Sequence, residues 1–97
     1  MQNRVVLTGT LAAEQTALRY TPAGLPALDL RIEHSSQQQE MGNARNVTAS
    51  VKAVAFGPLA EKLARQAPGS QWTFEGFLAT PRNSKTLVLH IQDIQQN

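Results

Sequence analysis

The sequence predicts an all-β protein, a barrel of five short strands with one short helix between the third and fourth. Three observations predict it. Apolar residues recur at alternate positions in five separate segments, which is the period of a strand with one buried face. The period lengthens to that of a helix only once, just after Phe56. Glycine, proline and asparagine gather between the segments, where turns require them.

In the first strand, within NRVVLTGTL, Val5, Leu7 and Leu11 share a face and Gly9 sits where the strand bends or bulges. Thr21-Pro22-Ala23-Gly24 is a turn, because Pro22 sets φ and Gly24 accepts a positive one. The second strand, ALDLRIEH, alternates cleanly, with Leu28, Leu30 and Ile32 inward and Asp29, Arg31 and Glu33 outward. SSQQQEMGNA has no apolar alternation and reads as a loop. The third strand, RNVTASVKAVAF, carries Val47, Ala49, Val51, Ala53 and Ala55 on one face, while Thr48, Ser50 and Lys52 on the other give way to Val54 and Phe56.

PLAEKLARQAPG is the helix: Leu59, Leu63 and Ala67 fall four apart, Pro58 suits the first turn and Gly69 marks the stop. Phe56 is expected to pack beneath it. QWTFEGFLA returns to period two, placing Trp72, Phe74 and Leu78 together in the core with Phe77 opposite. Ala79–Thr86 forms a turn-rich loop tipped by Arg82 and Lys85. In TLVLHIQDIQ, Leu87, Leu89 and Ile91 point inward, and Ile94 breaks the register, as a bulge or fraying end would. Five strands with one helix after the third is the order of an OB-fold barrel. Strands this short cannot all be buried on both faces, which favours antiparallel pairing. The reading is one OB-fold domain over residues 1–97.

Bulk composition narrows the function. Apolar residues make up 41 % of the 97-residue chain and charged residues 16 %, as in ordinary globular domains. Nine Lys and Arg against seven Asp and Glu give a formal charge of +2, a mild bias toward an anionic partner. The absence of cysteine excludes disulfides and thiolate metal sites. No apolar run approaches the ~20 residues of a membrane span or resembles a signal sequence, so a cytoplasmic protein with no membrane partner is expected.

No catalytic chemistry is legible. His34 and His90 fall on strands without a second ligand at metal-binding spacing, and Ser35-Ser36 lacks the glycines of a nucleophile elbow. The expectation is a non-enzyme with neither metal nor cofactor. Single-stranded nucleic acid is held by cations along the backbone and aromatic rings against the bases. Tyr20, beside the Thr-Pro-Ala-Gly turn, is the best exposed ring for stacking. Of the cations, Lys62 and Arg65 belong to a solvated helix face, and Arg31, between Asp29 and Glu33, is expected to be neutralised locally. Arg19, Arg45, Lys52, Arg82 and Lys85 then stand around the usual ligand face of an OB barrel. With Tyr20 they form the candidate nucleic-acid-binding set.

The residues also carry a resemblance. Asn3–Leu11, Phe56–Leu63, Gly69-Ser70-Gln71 and Glu75–Leu78 resemble the first strand, helix and fourth strand of bacterial single-stranded-DNA-binding proteins. A closer resemblance, carried by Tyr20–Pro26, Ile32–Ser35, Glu75–Leu78 and Leu87–His90, is to primosomal replication protein N, the PriB family. The chain ends soon after the fifth strand, without the linker and acidic tail that conventional single-stranded-DNA-binding proteins carry. The resemblance implies a homodimeric accessory factor of the replication-restart primosome, nucleoid-associated at stalled forks. It implies binding to single-stranded DNA and the restart helicase, and hand-over to later primosome-loading factors. It also places Arg4 near a dimer contact, and Phe77 in dimer or helix packing. Asn43 and Thr48 stand where better-known members place aromatics, and the loop around Arg82 is less lysine-rich, so DNA binding is expected to be weak and electrostatic. The alternatives are a stand-alone short single-stranded-DNA-binding protein, or a protein-only adaptor with vestigial DNA binding.

Overall fold

The computed structural model describes residues 1–13 and 17–96. Five long strands, β1 (Val5–Leu11), β3 (Pro26–Glu40), β4 (Asn43–Phe56), β5 (Gln71–Ala79) and β6 (Val88–Gln96), are joined by a two-residue strand β2 (Arg19–Tyr20) and one helix α1 (Pro58–Ala64). The sheet runs β1-β5-β6-β4-β3-β2, and β1 also pairs with β3. That extra pairing, Thr10 with Glu33 and Leu11 with Ile32, closes the five long strands into the expected barrel. Every pairing is antiparallel except that of β4 with β6, at Ala53–Leu89 and Val54–His90.

The inward residues follow the alternation. Leu11, Leu28, Leu30, Ile32, Ala53, Ala55, Trp72, Phe74, Leu89 and Ile91 form one buried cluster with Ala60 and Leu63 of the helix. Trp72 donates its indole N–H to Ser70 Oγ at 2.9 Å, so its one polar atom is satisfied as its ring is buried. Ile94 joins the core through the expected bulge: Glu75 faces Asp93 but Gly76 faces Ile91. Gln92 is therefore the extra residue, and Ile94 regains the inward face opposite Phe74.

Two glycines permit the strand curvature. A Cβ on Gly9 would lie 2.6 Å from Ile32 Cγ2 and 2.7 Å from the Glu33 carbonyl oxygen, at the point where β1 swings from β5 onto β3. A Cβ on Gly76 would lie 1.8 Å from the His90 carbonyl oxygen, inside the β5–β6 bulge.

The helix is shorter than its sequence pattern. It ends at Ala64, and Ala67, expected on the apolar face, is exposed beyond it. Pro68 disfavours a helical Ala67, and the chain tightens instead, with Gln66 N–H donating to the Leu63 carbonyl at 3.1 Å. Gly69 N–H then donates to the Leu11 carbonyl at 2.8 Å, tying the helix exit to the end of β1. The helix packs on β3 and β4 through Ala60 and Leu63.

Three further expectations are corrected. SSQQQEMGNA is not a loop: pairing continues to Glu40–Asn43, and only Met41 and Gly42 turn, both with positive φ (51° and 80°). Such a two-residue turn matches the twist of the flanking strands. Beyond Glu33 and Lys52 this ribbon has no other strand beside it among the described residues. Both faces meet water, and no apolar alternation marks it. Phe56 is not beneath the helix; it is 39 % exposed on the outer face, its ring 6.1 Å from that of His90. Leu87 is not inward either; it precedes the first paired residue of β6 and is 57 % exposed.

The two kinds of glycine separate in stability measurements. Gly76→Ala forces backbone apart from backbone and is expected to cost at least about 3 kcal/mol. Gly42→Ala meets open space and loses only the positive-φ preference, about 1 kcal/mol. Urea denaturation of the two variants checks the ranking, and equal losses would refute the close-approach explanation.

Candidate nucleic-acid interface

The outer face of β3 and β4 is charged because its residues alternate with the core set. Asp29, Arg31 and Glu33 point outward from β3, opposite Val54, Lys52 and Ser50 of β4. Arg19 reaches this row from β2, which pairs through Arg19–Ala27 and Tyr20–Pro26. Its guanidinium binds Asp29 with two hydrogen bonds, Nε to Oδ2 at 2.7 Å and Nη2 to Oδ1 at 3.2 Å. The bond to Asp29 raises the Arg19 pKa above the usual arginine value, so the charge persists at every pH of interest. Tyr20 is 65 % exposed. The turn before β3 forms as expected, with Gly24 N–H donating to the Thr21 carbonyl at 2.8 Å, and it holds β2 against β3.

Arg45 lies on the ribbon arm and pairs with Glu40 across the turn. It is seven residues from Lys52 along β4, about 24 Å at strand rise. Arg82 and Lys85 occupy a tight turn in which Ser84 N–H donates to the Pro81 carbonyl at 3.1 Å and Asn83 takes a positive φ of 65°. The end of that loop, Thr86 and Leu87, forms one wall of an open groove of about 500 Å³, also lined by Arg31, Ser50, Val51, Lys52 and Leu78. The groove exists because β4 and β6 pair only at Ala53 and Val54 and diverge beyond them.

The six candidates therefore do not form one patch. Lys52 and the loop bearing Arg82 and Lys85 meet at the groove; Arg19 stands further along the same face, while Tyr20, next to it on β2, points to the other face by strand alternation; Arg45 is remote. Arg19 and Arg45 each have a carboxylate partner. These pairs are half-exposed, and surface pairs of this kind contribute about 0–1 kcal/mol, so a phosphate can displace them.

Arg31 reverses its expectation. Among the described residues it forms no ion pair with its neighbours on the strand: Asp29 is held by Arg19, and Glu33, still charged, accepts a hydrogen bond from Ser50 Oγ at 3.1 Å. Sequence reading missed Arg31 because its carboxylate neighbours were counted without knowing what β2 and β4 would present to them.

The histidines have structural partners. His34 Nδ1 lies 2.7 Å from the Thr8 carbonyl oxygen and Nε2 2.7 Å from Ser36 Oγ, which ties β3 to β1 where their pairing ends. His90 stacks on Phe77 with ring centroids 4.8 Å apart and an interplanar angle of 14°. Phe77 is thus packed neither against the helix nor in the core, but on the outer face of β5 and β6. Arg4, at the start of β1, bonds Glu75 of β5 at 2.9 Å. Among the described residues no cluster of three or more His, Asp or Glu side chains is placed to hold a metal. No described helix is long and apolar enough to cross a membrane.

Comparison with known proteins agrees with this architecture. The model of a family described as "another single-strand binding protein family" matches residues 3–93. The chain is 39 % identical over 93 residues to replication restart protein PriB of Nitrosomonas europaea, covering 95 % of this chain and 85 % of that one. It is 43 % identical over 81 residues to the protein of the same name from Bordetella pertussis, covering 82 % and 76 %. A solved structure of PriB from Ralstonia solanacearum superposes with a TM-score of 0.90 at 39 % identity, covering 100 % of this chain and 99 % of that one. With its OB-type barrel and these matches along nearly its whole length, the chain belongs to the PriB family, a branch of the single-strand binding proteins.

Proposed function

We propose that this chain is a non-enzymatic accessory factor of replication restart that binds single-stranded DNA weakly, mainly through charge. It acts as a cytoplasmic, nucleoid-associated homodimer that stabilises the restart helicase on forked DNA before later loading factors arrive. The observation that carries the proposal is the match, over 95 % of the chain, to a protein named for replication restart. The surface supports the electrostatic part. Lys52 lines an open groove whose wall is the end of the loop that carries Arg82 and Lys85, whereas Tyr20 is the one aromatic residue more than half exposed among the described residues. Aromatic stacking contributes about 1–3 kcal/mol per base in single-strand binders, so a groove with a leucine floor and no ring gives modest affinity.

Each phosphate neutralised on single-stranded DNA contributes about −0.7 to the slope of log affinity against log salt. Titration of labelled oligo-dT at several salt concentrations is expected to give a clearly negative slope. The double variant Arg82→Ala, Lys85→Ala is expected to flatten that slope by about 1.4 while the sedimentation mass stays that of a dimer. Affinity that is tight and indifferent to salt would refute the electrostatic reading.

Asp29→Asn tests Arg19 in the opposite direction. Removing its carboxylate partner leaves the guanidinium to phosphate and is expected to raise oligo-dT affinity by up to about fivefold, the range of one surface pair. Unchanged affinity would remove Arg19 from the interface. Binding of purified restart helicase, with and without forked DNA, separates a restart factor from the stand-alone DNA binder. A helicase complex unaffected by DNA would favour the protein-only adaptor, a reading that the pairing of Arg19 and Arg45 with carboxylates supports.

A further inference from the structure

The structure assigns Arg31 and Lys52 to a two-cation clamp for one phosphate of single-stranded DNA, with Leu78 and Leu87 as an apolar shelf for the adjoining base. The assignment rests on the DNA-binding reading above and gives it a specific site.

Register makes the clamp. Arg31 and Lys52 are directly opposed on β3 and β4, so their Cβ atoms stand about 4.5–5.5 Å apart on the outer face. Like charges in that position repel and weaken the strand pair. No direct counter-ion offsets this repulsion: among the described residues neither has an ion pair, Asp29 is held by Arg19, and Glu33 is bonded to Ser50 rather than to Arg31. A phosphate between the two converts the repulsion into attraction on both sides. Arg31 supplies a planar fork suited to two phosphate oxygens, and Lys52 a compact charge.

The surroundings specify a nucleotide rather than a small free anion. The clamp is the rim of the groove whose other lining includes Leu78, Leu87 and Val51, with Ser50 and Thr86 as hydroxyls. Leu87 is 57 % exposed, an apolar side chain held in water where no strand pairing requires it. A small anion has no use for such a floor; a base attached to the clamped phosphate covers it. The backbone leaving the clamp then runs over the loop that carries Arg82 and Lys85.

The test is anisotropy titration of labelled oligo-dT, and of an abasic oligomer of equal length, against wild type, Arg31→Gln, Lys52→Gln and Leu87→Ser. Arg31→Gln and Lys52→Gln are each expected to weaken both oligomers alike and to make the salt slope shallower by about 0.7. Leu87→Ser is expected to weaken oligo-dT while leaving the abasic oligomer unchanged. The melting temperature of unbound Arg31→Gln is expected to equal or exceed that of wild type, because a repulsion is removed. Wild-type binding with unaltered slopes in both charge variants would overturn the clamp alone. Equal losses on the two oligomers in Leu87→Ser would overturn the shelf, and a lowered melting temperature in Arg31→Gln would make that residue structural. Wild type that binds neither oligomer would overturn the DNA-binding reading itself.

Discussion

The barrel depends on how closely β5 and β6 approach at Gly76. The His90 carbonyl oxygen occupies the space that any side chain at position 76 would need, and the bulge at Gln92 follows from that contact. Three consequences follow along β6. Ile94 is shifted by one residue and returns to the core opposite Phe74. His90 is set against Phe77 on the outside. The start of β6 is fixed beside Ala53 and Val54 of β4, and the short length of that pairing leaves the groove open below it. A contact between two backbones thus helps set the groove proposed for DNA.

A second constraint is the two-residue turn at Met41 and Gly42. In an antiparallel hairpin the turn sets the register for every later pair, so closing at Glu40–Asn43 places Arg31 opposite Lys52 nine pairs further on. The polar arm and the charged face are therefore one object. Lengthening the turn by a residue would move Lys52 off Arg31 and send the core residues of β4 toward water. The apolar pairs between Leu30 and Ala53, and between Leu28 and Ala55, resist that slip, since both residues of each pair lie in the buried cluster.

What the sequence makes legible follows from which physical signal each element carries. Elements with one buried face announce themselves, and the strands through Leu28–Ile32, Trp72–Phe74 and Leu89–Ile91 lie where alternation puts them. The arm from Ser35 to Asn46 buries neither face, so period two has nothing to act on, and Met41-Gly42 lacks the Asn-Gly or Asp-Gly signature of such turns. Phe56 and Leu87 fail for a related reason: parity gives a side chain's direction along a strand but not where its covering ends. The site suffers most. Tyr20, Lys52, Arg82 and Lys85 are readable as exposed types near loops, but Arg31 depends on β2 reaching Asp29 and on the hairpin register, neither of which is a local property.

Charge on this surface is sorted by neighbourhood rather than by amount. A net +2 over 97 residues is too small to steer a polyanion by itself. Arg4, Arg19 and Arg45 pair with Glu75, Asp29 and Glu40, which neutralises three separate places around the barrel. Among the described residues Arg31 and Lys52 have no ion-pair partner and stand side by side, next to the loop of Arg82 and Lys85. Positive charge therefore remains beside this groove as well as at Lys62 and Arg65 by the helix. On the proposed reading, because that groove offers leucines instead of rings, most of its attraction for DNA is Coulombic and screened by salt. In the proposed role, a site of this kind would hold DNA loosely enough for a larger assembly to take the strand over.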